Sequence, residues 1–192
     1  MPKKLAIFAS GNGSNAENIC GYFKDLSDIE VVLICSNKKD AFVLERAKKL
    51  NLNTLVFSKK ELSDFVIIEK KLTEFKVNFI VLAGFLLKIP QKMIKKYPNK
   101  IINIHPALLP KYGGKGMYGS KVHKTVLENK EKESGITIHY VNSKYDEGEI
   151  IFQANCDIVK EDTLESLANK IHKLEFQHFP KIIELIITSS EK

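Results

Sequence analysis

Leu5-Ala6-Ile7-Phe8-Ala9-Ser10-Gly11-Asn12-Gly13-Ser14-Asn15-Ala16, residues 5–16, is the stretch on which the fold turns. Lys4 to Ala9 is a short, nearly all-apolar run of strand length. It passes straight into a glycine-rich turn, and Ser14 to Lys24 then reads as a helix. Strand, glycine turn and helix open a βαβ unit. The glycines let backbone approach a ligand closely, and the free amides of a helix start favour an anion. A GxGxxA reading through Gly11, Gly13 and Ala16 would point to a dinucleotide. The second strand argues against it, because it ends Ser36-Asn37-Lys38 with no acid to hold a ribose. A single phosphomonoester fits better. The alternative is a turn that binds nothing and uses Ser14 or Asn15 as a helix cap.

Outward from this unit, strand and helix keep alternating. Glu30–Ser36 reads as a strand, Ala41–Leu50 as a helix and Thr54–Phe57 as a short strand. Lys60–Phe75 has the period of one helix, with Leu62, Phe65, Val66, Ile68 or Glu69, and Leu72 on its repeating face. Phe79–Ala83 is a central strand, Gln91–Lys96 a helix and Ile101–Ile104 the next strand. The alternation predicts an α/β fold with a doubly wound, mostly parallel, Rossmann-like sheet. After a long loop at residues 106–120 and a short helix at Lys121–Asn129, the pattern changes. Gly135–Val141 and Glu149–Asp157 read as an antiparallel C-terminal extension joined through Tyr145-Asp146-Glu147-Gly148. Thr163–Thr188 is a long C-terminal helix, expected to kink or break near Pro180. Residues 1–192 are expected to form a single domain.

Composition excludes several classes. The longest apolar run, Phe79–Leu87, is interrupted by Gly84 and is too short to span a membrane. The run Leu5–Ala9 is too short for a signal-peptide core, so a cytoplasmic location is expected. Cys20, Cys35 and Cys156 form no zinc spacing, and no metal is expected. The net charge of +7 raises the question of a nucleic-acid partner. Of the 30 basic residues only Arg46 is an arginine, and the lysines are spread along the chain. That pattern fits a solvated lysine surface and no nucleic-acid partner, with a general attraction for anionic small molecules left open. Monomer and homodimer both remain open.

Asn103-Ile104-His105-Pro106 ends the fifth strand. Residues two apart on a strand face the same side, so Asn103 and His105 project together. An amide donor beside an imidazole suits acyl-type chemistry: one stabilises an oxyanion and the other moves a proton. Asp146 and Glu147, in the turn between the last two strands, are the two carboxylates that would hold a histidine charged if either reaches His105. Taken alone, each of these residues has a plain structural reading as core histidine, turn asparagine or turn acid.

Together the segments FASGNGSN (8–15), VLAGF (81–85) and NIHPALLPKYGG (103–114) resemble the phosphoribosylglycinamide formyltransferases, of the folate-dependent formyltransferase family. The resemblance runs from Leu5 to about Pro180. It implies formyl transfer from 10-formyltetrahydrofolate, as co-substrate and without a metal, to the amine of a glycinamide ribonucleotide in purine synthesis. It divides the domain into a phosphate-binding half, 1–100, and a catalytic and folate-binding half, 101–192. By motif matching, Gly13, Ser14 and Asn15 would hold the substrate phosphate, and Glu175 would contact the glycinamide substrate. Asn103, His105 and Asp146 would be the catalytic trio. Leu86, Leu87, Lys88 and Ile89, with Asn103 and Lys59, would contact the folate. Two departures stand out. Ala107 replaces a serine, and in GGKGMYGSKVHKTVL only His123 matches the second of two family histidines. His123, His139, His172 and His178 read as structural or surface residues.

Other readings stay open. A transfer-RNA or amino-sugar formyltransferase would share the fold, but the transfer-RNA enzymes would need a further C-terminal domain and lack the GNGSN turn. A formyltetrahydrofolate deformylase would need an extra N-terminal domain. A nucleotide-dependent oxidoreductase would need the ribose acid, and a nucleic-acid binder would need aromatic platforms among its basic residues.

Overall fold

Alternate side chains of the first strand, β1 (Lys3–Phe8), are buried on opposite faces of the sheet. Leu5 and Ile7 enter one core; Ala6 and Phe8 enter the other. A strand covered on both faces must be apolar throughout, which is why residues 5–8 carry no polar side chain. The computed structural model describes residues 1–189; residues 190–192, the end of the expected 1–192 domain, lie outside the described residues.

The further strands are β2 (Ile29–Ser36), β3 (Asn53–Val56), β4 (Phe79–Leu82), β5 (Ile101–His105), β6 (Glu133–Tyr140) and β7 (Ile150–Asp157). They form one seven-stranded sheet in the order β3-β2-β1-β4-β5-β6-β7. β1 to β5 pair in parallel, and β6 and β7 add on antiparallel. Helices α1 (Ser14–Phe23), α2 (Phe42–Lys49), α6 (Ser120–Glu128) and α7 (Leu164–Ser189) cover one face. Helices α3 (Lys59–Asp64), α4 (Val66–Glu74) and α5 (Gln91–Lys96) cover the other. The doubly wound α/β architecture and its antiparallel extension are those expected from the alternation of periods.

Two expectations are corrected. The single helix expected over Lys60–Phe75 is two helices, broken at Phe65, which adopts a left-handed conformation with φ 63°. A left-handed non-glycine residue costs about 1–2 kcal/mol, and burying a phenylalanine ring recovers about 2–3 kcal/mol. Phe65 is buried with Leu62, Ile68 and Leu72, whereas Val66 is left exposed. The last helix is not broken at Pro180: α7 runs through it. The missing proline N–H would leave the Phe176 carbonyl, one turn earlier, without a partner. Asn18 of α1 fills that role, its Nδ2 donating to Phe176 O at 3.1 Å.

The strand order locates the site. β1 lies between β2 and β4, so the chain leaves β1 to one side and returns to β4 on the other. The loops after β1 and β4 diverge at this switch, opening a crevice at the carboxyl ends of the strands. β5, carrying Asn103 and His105, is the next strand along. Among the described residues no helix is long and apolar enough to cross a membrane.

Candidate functional site

The crevice is a cavity of about 610 Å³. It is lined by the turn Gly11–Asn15, by Asn103, His105 and Asp146, and by Ala83–Leu86, Gly114–Gly119, His123, Ile171, His172 and Glu175.

The turn after β1 is held by its neighbours. Ser10 N–H donates to Gly84 O at 3.0 Å, while its hydroxyl donates to Asn37 Oδ1 at 2.6 Å and accepts the Leu86 N–H at 3.0 Å. The ends of β1, β2 and β4 are thereby tied at one buried serine. Gly13 has φ 77°, and a Cβ there would lie 2.4 Å from Val43 Cγ2 and 2.8 Å from Val43 Cα. Only glycine lets the turn sit this close to α2. Gly13 is also the N-cap of α1, with no side-chain cap hydrogen bond. Neither Ser14 nor Asn15 caps the helix, so its first amides have no side-chain acceptor and suit an anion. Asn15 is turned instead towards α7, its buried Nδ2 donating to Glu175 Oε2 at 2.9 Å. Asn15 Oδ1 is buried without a partner.

Asn103 and His105 face the cavity together from β5. Asp146 reaches them from the turn between β6 and β7, where it holds φ 54°. Its Oδ2 accepts the Gly114 N–H at 2.9 Å and lies 3.6 Å from His105 Nδ1. Its Oδ1 is 3.5 Å from Asn103 Nδ2. His105 Nε2 is 2.8 Å from the Tyr112 carbonyl oxygen, which can only accept. Both ring nitrogens therefore face oxygens, and only the imidazolium places a proton before each. Burial opposes that form and holds the His105 pKa below its ordinary value; Asp146 and the Tyr112 carbonyl pull it back up, and His139 lowers it further. The expected influence of Asp146 on His105 thus has the expected sign, but burial outweighs it. Burial alone would raise the Asp146 carboxyl. The imidazoles of His139 and His105 and the Gly114 N–H together hold it below the ordinary carboxylate range. Glu175 is shifted the other way: burial raises its pKa, against the lowering pull of Asn15 and His172.

The expected folate residues divide. Leu86 lines the cavity and is exposed there. Ile89 is buried in the core under α5, and Leu87 packs against that core. Lys88 lies outside the wall with its Nζ 5.8 Å from the Tyr145 ring centroid. Lys59 starts α3, after the capping box of Ser58 and Glu61; it is exposed and does not line the cavity.

His139, read from sequence as structural, belongs to the network. It sits directly opposite Asn103 in the β5–β6 register. Its Nδ1 lies 2.8 Å from Tyr140 O, and its Nε2 stands 3.1 Å from Asn103 Nδ2 and 3.6 Å from Asp146 Oδ1. Sequence alternation puts Thr137 and His139 on one face, but the partner strand's register was needed to set His139 against Asn103. His123 also lines the cavity, buried, with Nδ1 unpartnered. Its pKa is lowered by burial and by His172 and His105. His172, exposed on α7, stands 3.7 Å from Glu175 Oε2.

Residues 3–183 match the formyl transferase family model. Over 190 residues the chain is 42% identical to a chloroplastic phosphoribosylglycinamide formyltransferase of Arabidopsis thaliana, covering 96% of this chain and 65% of that protein. It is 37% identical to the phosphoribosylglycinamide formyltransferase of Bacillus subtilis (strain 168), covering 96% of this chain and 95% of the relative. The chain therefore spans less than two thirds of the plant protein and nearly all of the bacterial one. A crystal structure of phosphoribosylglycinamide formyltransferase from Bacillus halodurans superposes with a TM-score of 0.89 at 33% identity, covering 98% of this chain and 97% of that one.

Proposed function

Because the chain belongs to the formyl transferase family, we propose that it moves a formyl group from N10 of 10-formyltetrahydrofolate to the amine of N1-(5-phospho-D-ribosyl)glycinamide, a step of de novo purine biosynthesis. One observation carries the reading. The Asn103–His105–Asp146 cluster and the open amides at the start of α1 line the same cavity. A phosphorylated amine held by its phosphate at the amides offers its nitrogen to the cluster. Residues 1–192 act as one formyltransferase domain, in which residues 1–100 supply the phosphate site and residues 101–192 supply the trio.

The amides of Gly13, Ser14 and Asn15 take the phosphate. Glu175, fixed by Asn15, faces the glycinamide. The folate supplies the formyl group and the leaving nitrogen. Leu86 and the backbone of residues 83–86 form the wall suited to its flat ring, and the cavity lies within the usual range of about 300–1,000 Å³ for small-molecule sites. Asn103 uses its second Nδ2 proton, held only loosely at 3.5 Å by Asp146, for the formyl oxygen as it becomes anionic. The 3.1 Å contact with His139 keeps the amide facing the right way. As the amine nitrogen bonds to the formyl carbon and the bond from that carbon to N10 breaks, the amine loses a proton and N10 gains one. His105 carries that proton: burial makes its charged form a stronger acid, and Asp146 partly offsets burial in favour of that form. Holding both substrates in one cavity supplies much of the rate by proximity.

The test is purified protein with both substrates, followed by release of deformylated folate. Turnover dependent on the ribonucleotide supports the reading. Folate release at the same rate without it, or no release at all, overturns it.

A further inference from the structure

Arg46, the chain's one arginine, stands behind the glycine turn and outside the cavity wall. From α2 its Nε donates to Asn12 O at 2.9 Å, and its Nη2 donates to Asn12 Oδ1 at 2.9 Å. Its Nη1 pairs with the Glu17 carboxylate in the first turn of α1. The guanidinium also lies 4.9 Å from the Phe42 ring centroid. Beside it, Val43 N–H donates to Gly11 O at 3.1 Å. The turn is thus clamped to α2 at Gly11 and Asn12, and the helix that follows is clamped at Glu17.

An arginine so placed could act by charge or by shape. Glu17 neutralises the charge at contact distance, so the pair projects little field into the cavity. Shape remains. The guanidinium presents its protons in a rigid planar fork, and here the fork meets two acceptors of Asn12 on one side and Glu17 on another. A lysine presents all its protons from one atom on a flexible stem and cannot reach these acceptors together. That distinction matters in a chain whose other basic side chains are all lysine.

We infer that Arg46 is a positioning residue for the anion-binding turn. It fixes Asn12 so that the amides of Gly13, Ser14 and Asn15 converge on the substrate phosphate. The inference rests on the phosphate role proposed above for that turn.

The test uses Arg46→Lys and Arg46→Ala in the full chain, with each substrate varied in turn and ribose 5-phosphate binding measured by calorimetry. Both variants are expected to raise KM for the ribonucleotide about tenfold or more, the scale of one lost charge-assisted hydrogen bond. KM for the folate stays within about twofold in both. Millimolar guanidinium restores ribonucleotide affinity to Arg46→Ala. Thermal unfolding of both variants is followed alongside. A wild-type KM for the ribonucleotide in Arg46→Lys overturns the inference, as does an equal rise in both KM values, which marks general loosening. If wild-type protein binds ribose 5-phosphate and Arg46→Lys binds it equally well, Arg46 loses its role while the phosphate assignment stands. If wild-type protein does not bind ribose 5-phosphate, the assignment of the turn itself falls.

Discussion

Changing Asp146 to Asn removes one charge and little else. Asparagine keeps the shape, tolerates the left-handed backbone at φ 54°, and leaves an oxygen for the Gly114 N–H. The carboxylate stands 3.6 Å from His105 Nδ1, with both side chains largely out of water. Coulomb's law at that distance gives about 5 kcal/mol at an effective dielectric constant of about 20, and about 1 kcal/mol at about 80. Loss of that attraction disfavours the imidazolium by the same amount. The sign follows directly. Burial already holds the His105 pKa below its ordinary value, and Asp146 is the first of the influences pulling it back up. Its removal drops the pKa further, so less imidazolium remains at neutral pH. With His105 as the acid for the leaving nitrogen, kcat near pH 7 should fall between about tenfold and about a thousandfold. The alkaline limb of the pH–rate profile should move towards acid. NMR titration of the His105 imidazole in both proteins reads the same change without turnover. A pH–rate profile that superimposes on that of the unmodified protein, with an unmoved His105 titration, would refute the coupling.

Asn103→Ala should lower kcat by about 10²–10³-fold, the usual effect of losing an oxyanion donor, with thermal unfolding little changed. Near-normal turnover in the folded variant would take Asn103 out of that role. Gly13→Ala should destabilise by about 2–4 kcal/mol, combining left-handed strain with the clash against Val43, read as a shifted denaturant midpoint at unchanged m-value. Glu175→Gln tests the buried carboxyl. Its folded pKa is raised above 4.5, so its ionisation costs stability as pH rises through the folded value. Glutamine carries no such cost and can still accept from Asn15, so the variant should gain stability relative to the unmodified protein as pH rises above 4.5. Parallel stability curves across that window would show that Glu175 is not strained by burial.

Local period and local chemistry were enough for the elements and for part of the site. The apolar run of β1, the bounds of α5 at Gln91–Lys96, and the shared face of Asn103 and His105 all follow from spacing within one short segment. The glycine turn after β1 could likewise be read as an anion site, because strand end, glycines and helix start are contiguous. Where two continuations had similar local cost, the sequence was silent. Phe65 breaks a helix whose period is unbroken, and α7 passes through Pro180 because Asn18, far away in the chain, serves the freed carbonyl.

What only the tertiary structure decided is which distant groups meet. His139 joins Asn103 through the register of β5 against β6, and Asp146 arrives from the following turn. Glu175 reaches Asn15 through the packing of α7 on α1. Ile89, three residues after the cavity residue Leu86, instead belongs to the core. Hydrophobic period states which face of a segment is buried, and that is a property of the segment. Register and packing depend on how whole faces fit one another, and no window of sequence contains both partners of such a contact.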